Sequence, residues 1–181
     1  MMTKIHKAYV SYDKEEAWLN EMAAKGLMLV HYSWCTYFFQ EGIPGEYTYR
    51  LELLENLPSH PESQRYLDFM RDAGAEPVCF WMRWVFFRKK TADGPFEIYS
   101  DATGQIAHYR RINVFMMILL VTNAICAISN LGIAIFSHTF TMPANFTVGC
   151  VNATIAIALA GVVHRGRKKM KKARRESMLH E

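Results

Sequence analysis

INVFMMILLVTNAICAISNLGIAIF, residues 112–136, runs for 25 positions without a charged side chain. A helix of that length crosses a ~30 Å hydrocarbon layer with some tilt. A second apolar run, FTVGCVNATIAIALAGVV, occupies residues 146–163, and no Lys or Arg lies between the two. Arg110 and Arg111 abut the first run; Arg165, Arg167, Lys168, Lys169, Lys171, Lys172, Arg174 and Arg175 follow the second. Lys and Arg beside membrane-span ends favour the cytoplasmic side. The pattern therefore predicts a transmembrane helical hairpin with both ends in the cytoplasm and the loop Ser137–Asn145 outside. Three regions follow: a cytoplasmic domain over 1–109, the hairpin over 110–164, and a basic cytoplasmic tail over 165–181.

The net charge of +4 conceals a division. The tail from His164 onward has eight basic and two acidic residues, whereas residues 1–109 have 11 basic and 15 acidic. An acidic domain argues against direct nucleic-acid binding, which rests on Lys and Arg neutralising phosphates. The tail suits a topology signal and anionic lipid headgroups. Cys35, Cys79, Cys126 and Cys150 form no C-x-x-C pair. In an antiparallel hairpin Cys126 and Cys150 would be displaced by about 9 Å along the axis, too far for a disulfide. The N-terminal MMTKIHKAYV lacks the apolar core of a signal peptide, so the first span is expected to direct insertion.

Along the soluble region, residues 4–12 read as a strand. Asp13 with Glu16 resembles a capping box opening a helix to about Lys25, with Trp18, Leu19, Met22 and Ala23 on one stripe and Gly26 as its stop. Residues 27–40 read as extended chain with a bend near Ser33–Cys35. Glu41 to Gly45 is a turn, after which Tyr47, Tyr49, Leu51 and Leu53 alternate with Thr48, Arg50 and Glu52, giving one buried and one polar face. Pro61 suits the first turn of a second helix, expected over Glu62–Ala73, with Tyr66, Leu67, Phe69, Met70 and Ala73 inward and Gly74 as its stop. VCFWMRWVFFRKK, from Val78, is either a central strand or a hairpin turning at Met82–Arg83. Residues 96–100 suggest a short strand, and Ser100 or Asp101 a cap for the helix entering the first span. The order predicts an α+β fold, two helices on an antiparallel sheet with a ferredoxin-like arrangement as one form of it, followed by the two-helix transmembrane hairpin. No internal repeat is apparent in the residues.

EEAWLNEMAAKGLMLV (Glu15–Val30), PGEYTYRLELLEN (Pro44–Asn56), DFMRDAGAEPV (Asp68–Val78), WVFFRKK (Trp84–Lys90) and FEIYSDATGQIAHYRRI (Phe96–Ile112) occur in that order. Together they resemble the bacterial family called domain of unknown function 2812. The resemblance covers roughly residues 5–112. It implies a cytoplasmic module, often followed by membrane spans and often encoded beside PadR-type transcriptional regulators, with no activity to carry over. This chain has Gly74-Ala75 where the family usually has Gly-Trp, and Glu52 where it commonly has Asp.

No catalytic constellation stands out. The seven histidines are scattered without metal spacing, and there is no P-loop and no G-x-S-x-G. No catalytic residue, metal or cofactor is expected, and Glu15–Glu16 reads as a solvated helix start. The candidate ligand- or partner-binding residues are charges embedded in aromatic strands: Arg50, Glu52, Arg83, Trp84 and Arg88. Their bland alternative is pairing with carboxylates at strand ends. Within the hairpin, Asn130 and Asn152 are expected at equal depth and hydrogen-bonded, with Gly149 and Ala153 in small-residue contacts.

The function these observations favour is a membrane-anchored cytoplasmic module of the bacterial inner membrane that binds another protein or a small ligand in a regulatory role, with catalysis left open. Its expected partners are the bilayer, a transcriptional regulator, or a second copy. The alternative is a membrane-tethered enzyme acting on a lipid or lipophilic anion; a transporter subunit would need oligomerisation, because two helices enclose no pathway.

Overall fold

A computed structural model describes residues 2–99, 102–136 and 142–178. The cap expected at Ser100 or Asp101 and most of the loop over 137–145 lie outside the described residues. The elements are β1 (Met2–His6), α1 (Tyr12–Ala24), β2 (Leu27–Ser33), β3 (Thr36–Glu41), β4 (Tyr47–Leu53), α2 (Pro61–Asp72), β5 (Glu76–Trp81), β6 (Trp84–Lys90), α3 (Ala102–Phe136) and α4 (Met142–Ser177). They form two compact units, residues 1–100 and 101–181.

The first unit is α+β, but not one sheet. Among the described residues it has two three-stranded antiparallel sheets, ordered β1-β3-β2 and β4-β6-β5. Each is built from the same path of strand, helix and hairpin, a repeat that the sequence conceals. Gly26 and Gly74 end the helices at φ 80° and 83°, and Trp34 and Met82 open the hairpin turns at φ 41° and 53°. β2 is bulged at Val30 and β5 at Val78. The Lys7 N–H donates to Cys35 O, as the Leu54 N–H donates to Arg83 O, both at 2.8 Å. The glycines, bulges and turns fall at one constant spacing along the chain. Side-chain identity has diverged because the repeats occupy different surroundings.

α1 lies between the sheets. Its Trp18, Leu19, Met22 and Ala23 pack on Leu29, Tyr37 and Phe39 of one sheet and Tyr49, Leu51 and Phe86 of the other. α2 packs Leu67 and Met70 on the opposite face of the second sheet, against Val85, Phe87 and Phe96. β4 and β6 are therefore covered on both faces. Period-2 alternation still governs them, since Phe86 faces α1 while Val85 and Phe87 face α2.

Several expectations need correction. The stretch 27–40 reverses fully into a hairpin, because Trp34 and Cys35 both adopt left-handed geometry, the conformation of a tight two-residue turn. The N-cap of α1 is Ser11 rather than Asp13, and it makes no side-chain cap bond, because its hydroxyl donates to Asp13 Oδ2 at 3.3 Å; Glu16 accepts from β4 instead of closing a capping box. The polar face predicted for β4 is covered by α2, leaving Glu52 only 2% exposed. Phe69 and Ala73 point outward from α2, because Leu67 and Met70 fill its contact face. Residues 94–99 form no strand; Thr91–Asp93 is a short 3₁₀ turn instead.

In the second unit α3 and α4 are long enough and apolar enough to cross a membrane, and only 17% and 22% of their most apolar windows are buried. Ile118, Ile125, Ile128, Ile135 and Ile157 point outward, the inverse of a soluble core helix. The helices run antiparallel. A Cβ on Gly149 would meet Leu131 Cγ at 2.7 Å, and one on Gly166 would meet Asn113 Oδ1 at 2.9 Å. This register is shifted from the one that would put Asn130 opposite Asn152. Each Asn instead donates to its own helix, Asn130 to Cys126 O and Asn152 to Val148 O. The buried positions of α4, Gly149, Ala156, Val163 and Ala173 among them, continue past the apolar segment into the basic stretch. There Lys169 Nζ sits 5.8 Å from the Tyr109 ring centroid.

Gly149→Val is predicted to lower the thermal stability of the full chain in detergent by roughly 1–3 kcal/mol through overpacking. Gly161→Val, where a Cβ meets nothing within 4 Å, serves as the neutral control in the same thermal melts.

Candidate functional site

Two features of the first unit carry chemistry: an open cleft between the sheets and an acid–tyrosine pair joining α1 to β3. The cleft follows from the bulges. At Val30 and Val78 the ladders slip by a residue, and a bulge leaves its extra residue unpaired and bends the strand. Tyr32 and Trp34 of the first repeat meet Trp81 at ring-centroid distances of 5.8 and 5.5 Å, while lower down the strands part. The resulting cavity of about 300 Å³ is lined by Leu29, Val30, Gln40, Glu76, Pro77, Val78 and Arg88. Arg88 supplies the cation: its Nε donates to Glu76 Oε2 at 2.9 Å, and its guanidinium lies 4.4 Å from the Tyr47 ring centroid. The Glu76 side chain is 58% exposed, so the pair can be exchanged for an incoming anion or a second guanidinium acceptor.

The second feature lies on α1. Glu15 Oε1 accepts a 2.6 Å hydrogen bond from the Tyr37 hydroxyl. Burial raises its carboxyl to about 7, with the Tyr37 bond opposing the shift. Burial, then the bond to Glu15, raises Tyr37 in turn. The Cys79 thiol is pushed up to about 12, chiefly by burial, so it is no nucleophile at neutral pH. Glu16 is raised by burial against the Leu51 N–H and Arg50. Far from being a solvated helix start, Glu15 and Glu16 both point into the structure. The available signal was helical spacing: Glu15 heads the stripe Trp18–Leu19–Met22, and Glu16 heads Asn20–Ala23.

The binding candidates are placed apart. Arg50 donates to Glu16 at 2.8 Å and to Phe96 O at 2.8 Å. Glu52 accepts from Tyr66 at 2.6 Å and from Tyr99. Arg83 donates twice to Leu54 O, at 2.8 and 2.6 Å, and Trp84 stacks obliquely on Tyr12 at 5.9 Å. Arg50 and Glu52 share the α2 face of β4, Arg83 sits in a hairpin turn, and Arg88 alone reaches the cleft. Among the described residues no group of three His, Cys, Asp or Glu is arranged to hold a metal.

A duplicated α+β domain followed by two long apolar helices defines the class: a domain carried on a helical hairpin suited to a membrane. The family model described as Protein of unknown function (DUF2812) matches residues 11–121, and the chain belongs to that family. No curated protein and no solved structure matches it.

The shift at Glu15 makes a signed prediction. Between 4.5 and about 7 the folded chain holds a proton that the unfolded chain has released. The stabilisation is complete below the lower value and is lost as pH rises through the upper one. Chemical denaturation of the full chain in detergent should therefore show stability falling between pH 4.5 and about 7. Glu15→Gln should flatten that fall, with the residual slope coming from Glu16, which shifts in the same direction. An unchanged slope in the variant contradicts the assignment.

Proposed function

We propose that this chain is a bacterial inner-membrane protein whose duplicated domain is a cytoplasmic binding module. In this reading the domain holds a transcriptional regulator of the PadR type at the membrane. The observation that carries the reading is the open cleft between β2 and β5, whose one cation, Arg88, is paired with a largely exposed carboxylate. Two bulged strands with a charged pair at their margin suit an extended segment of a protein partner better than a small substrate, because the wall is shallow and open. The basic residues flanking both apolar helices support cytoplasmic termini, and the basic end of α4 supports contact with anionic headgroups. The separation of Arg50, Arg83 and Arg88 weighs against a convergent anion site for catalysis.

A second reading, a membrane-tethered enzyme acting on a lipophilic anion, draws on Glu15, an acid held near neutrality beside Tyr37. The two separate in one experiment, a photo-crosslinker at Val30 or Val78 of the full chain in native membranes. The expected result is capture of a transcriptional regulator, reduced at least fivefold by Arg88→Glu. Capture that ignores Arg88→Glu, or unchanged regulator localisation and target transcription in cells lacking the chain, contradicts the binding reading.

A further inference from the structure

One pair of equivalent positions in the two repeats is filled with opposite chemistry. Lys7 and Leu54 each follow the first strand of their repeat and donate their N–H to a hairpin turn, at Cys35 O and Arg83 O. Trp18 and Tyr66 match as well, eight residues before Gly26 and Gly74. In the second repeat Leu54 is an apolar plug. It is 2% exposed and packs with Leu67 and Met70, and Tyr66 closes on the same cluster. In the first repeat the same position carries an ammonium. Lys7 Nζ lies 4.8 Å from the Trp18 ring centroid and 5.0 Å from that of Tyr9. Tyr9 is itself an addition, since the matching residue of the second repeat is Asn56.

The two rings suit a cation. Their centroids are 5.6 Å apart and their planes are inclined at 39°, so they form an open V and not a closed stack. Both centroids lie within the ~6 Å at which a ring face attracts a cation, and Trp offers the strongest face. Tyr37 backs the seat, meeting Trp18 edge to face at 4.8 Å. Its hydroxyl is bonded to Glu15, which stands one turn before Trp18 on α1. Residues 1–109 carry 11 basic and 15 acidic residues, a balance that draws cations toward the unit. Lys7 is exposed, whereas Trp18 beneath it is only 7% exposed; the lysine is the lid of the seat and not its floor. A primary ammonium on a flexible stem is also a poor occupant, because it is strongly hydrated. An ammonium whose protons are replaced by methyl groups gives up less water to reach the same two rings.

We propose that Tyr9 and Trp18 form a binding site for a small quaternary ammonium compound, which Lys7 occupies as a built-in competitor. The inference depends on neither the cleft nor the membrane anchoring. The test is a titration of the full chain in uncharged maltoside micelles with choline, followed by saturation transfer to its methyl protons, with empty micelles subtracted. Lys7→Ala should lower the half-saturating choline concentration about tenfold, because it removes an intramolecular ligand. Lys7→Gln, which keeps most of the stem and drops the charge, should move it in the same direction. Tyr9→Leu added to Lys7→Ala should weaken binding about fivefold. The uncharged isostere 3,3-dimethylbutanol should gain nothing from Lys7→Ala. Equal choline binding by the wild-type chain and both Lys7 variants overturns the proposal. So does an equal gain for 3,3-dimethylbutanol, which would make the rings an apolar surface with no preference for charge.

Discussion

The first unit depends on how the free edge of β4 is satisfied. The Asn20 amide donates to Tyr49 O at 3.0 Å, and its carbonyl accepts the Tyr49 N–H at 2.8 Å. One turn earlier, Glu16 accepts the Leu51 N–H at 3.0 Å. Two side chains of α1 thus complete the ladder that a neighbouring strand would otherwise supply. An unpaired edge invites association with other chains, and a buried backbone group without a partner costs about 1–3 kcal/mol. The clamp also sets where α1 lies. Held to β4 by its polar face, the helix turns Trp18, Leu19 and Met22 into the space between the sheets.

From that placement the rest follows. The second sheet receives α1 on one face and α2 on the other, so its strands carry buried residues in both phases. Glu52, on a face that alternation alone would assign to water, is held by tyrosines of α2 and the segment after β6. The first sheet has α1 on one face and leaves Phe38, His31 and Lys4 toward the other, where Lys4 Nζ lies 5.6 Å from the Phe38 ring centroid. Equivalent positions of the two repeats therefore face different surroundings. This is why the duplication survives in turns, bulges and glycines, whose constraints are local, and not in the packed side chains.

The same contrast explains what could be read without coordinates. The two long apolar helices were legible because charge is absent over whole helix lengths, and the second helix because Pro61 and Gly74 bracket it. The hairpins were half legible: aromatic and β-branched residues marked strands, but Trp34-Cys35 carries none of the Asn or Gly that usually betrays a tight reversal. Glu15 and Glu16 were misread because acidic residues in a first helical turn satisfy the helix dipole whether or not they also reach inward. The cleft was not legible at all. It depends on two bulges from different repeats meeting, and Val30 between Leu29 and His31, like Val78 between Pro77 and Cys79, is a residue type at home in any regular strand. Of the binding candidates the structure brings only Arg88 to that cleft; Arg50 and Arg83 are engaged with partners that sequence distance hides.

The proposed anchoring requires the α3–α4 hairpin to cross a bilayer and return. The direct measurement is labelling of the full chain in intact cells with a membrane-impermeant thiol reagent, after Asn145→Cys or Met178→Cys. Labelling at 145 without permeabilisation, and at 178 only after it, is the predicted result. Labelling at both positions only after permeabilisation, or at 178 in intact cells, would contradict it.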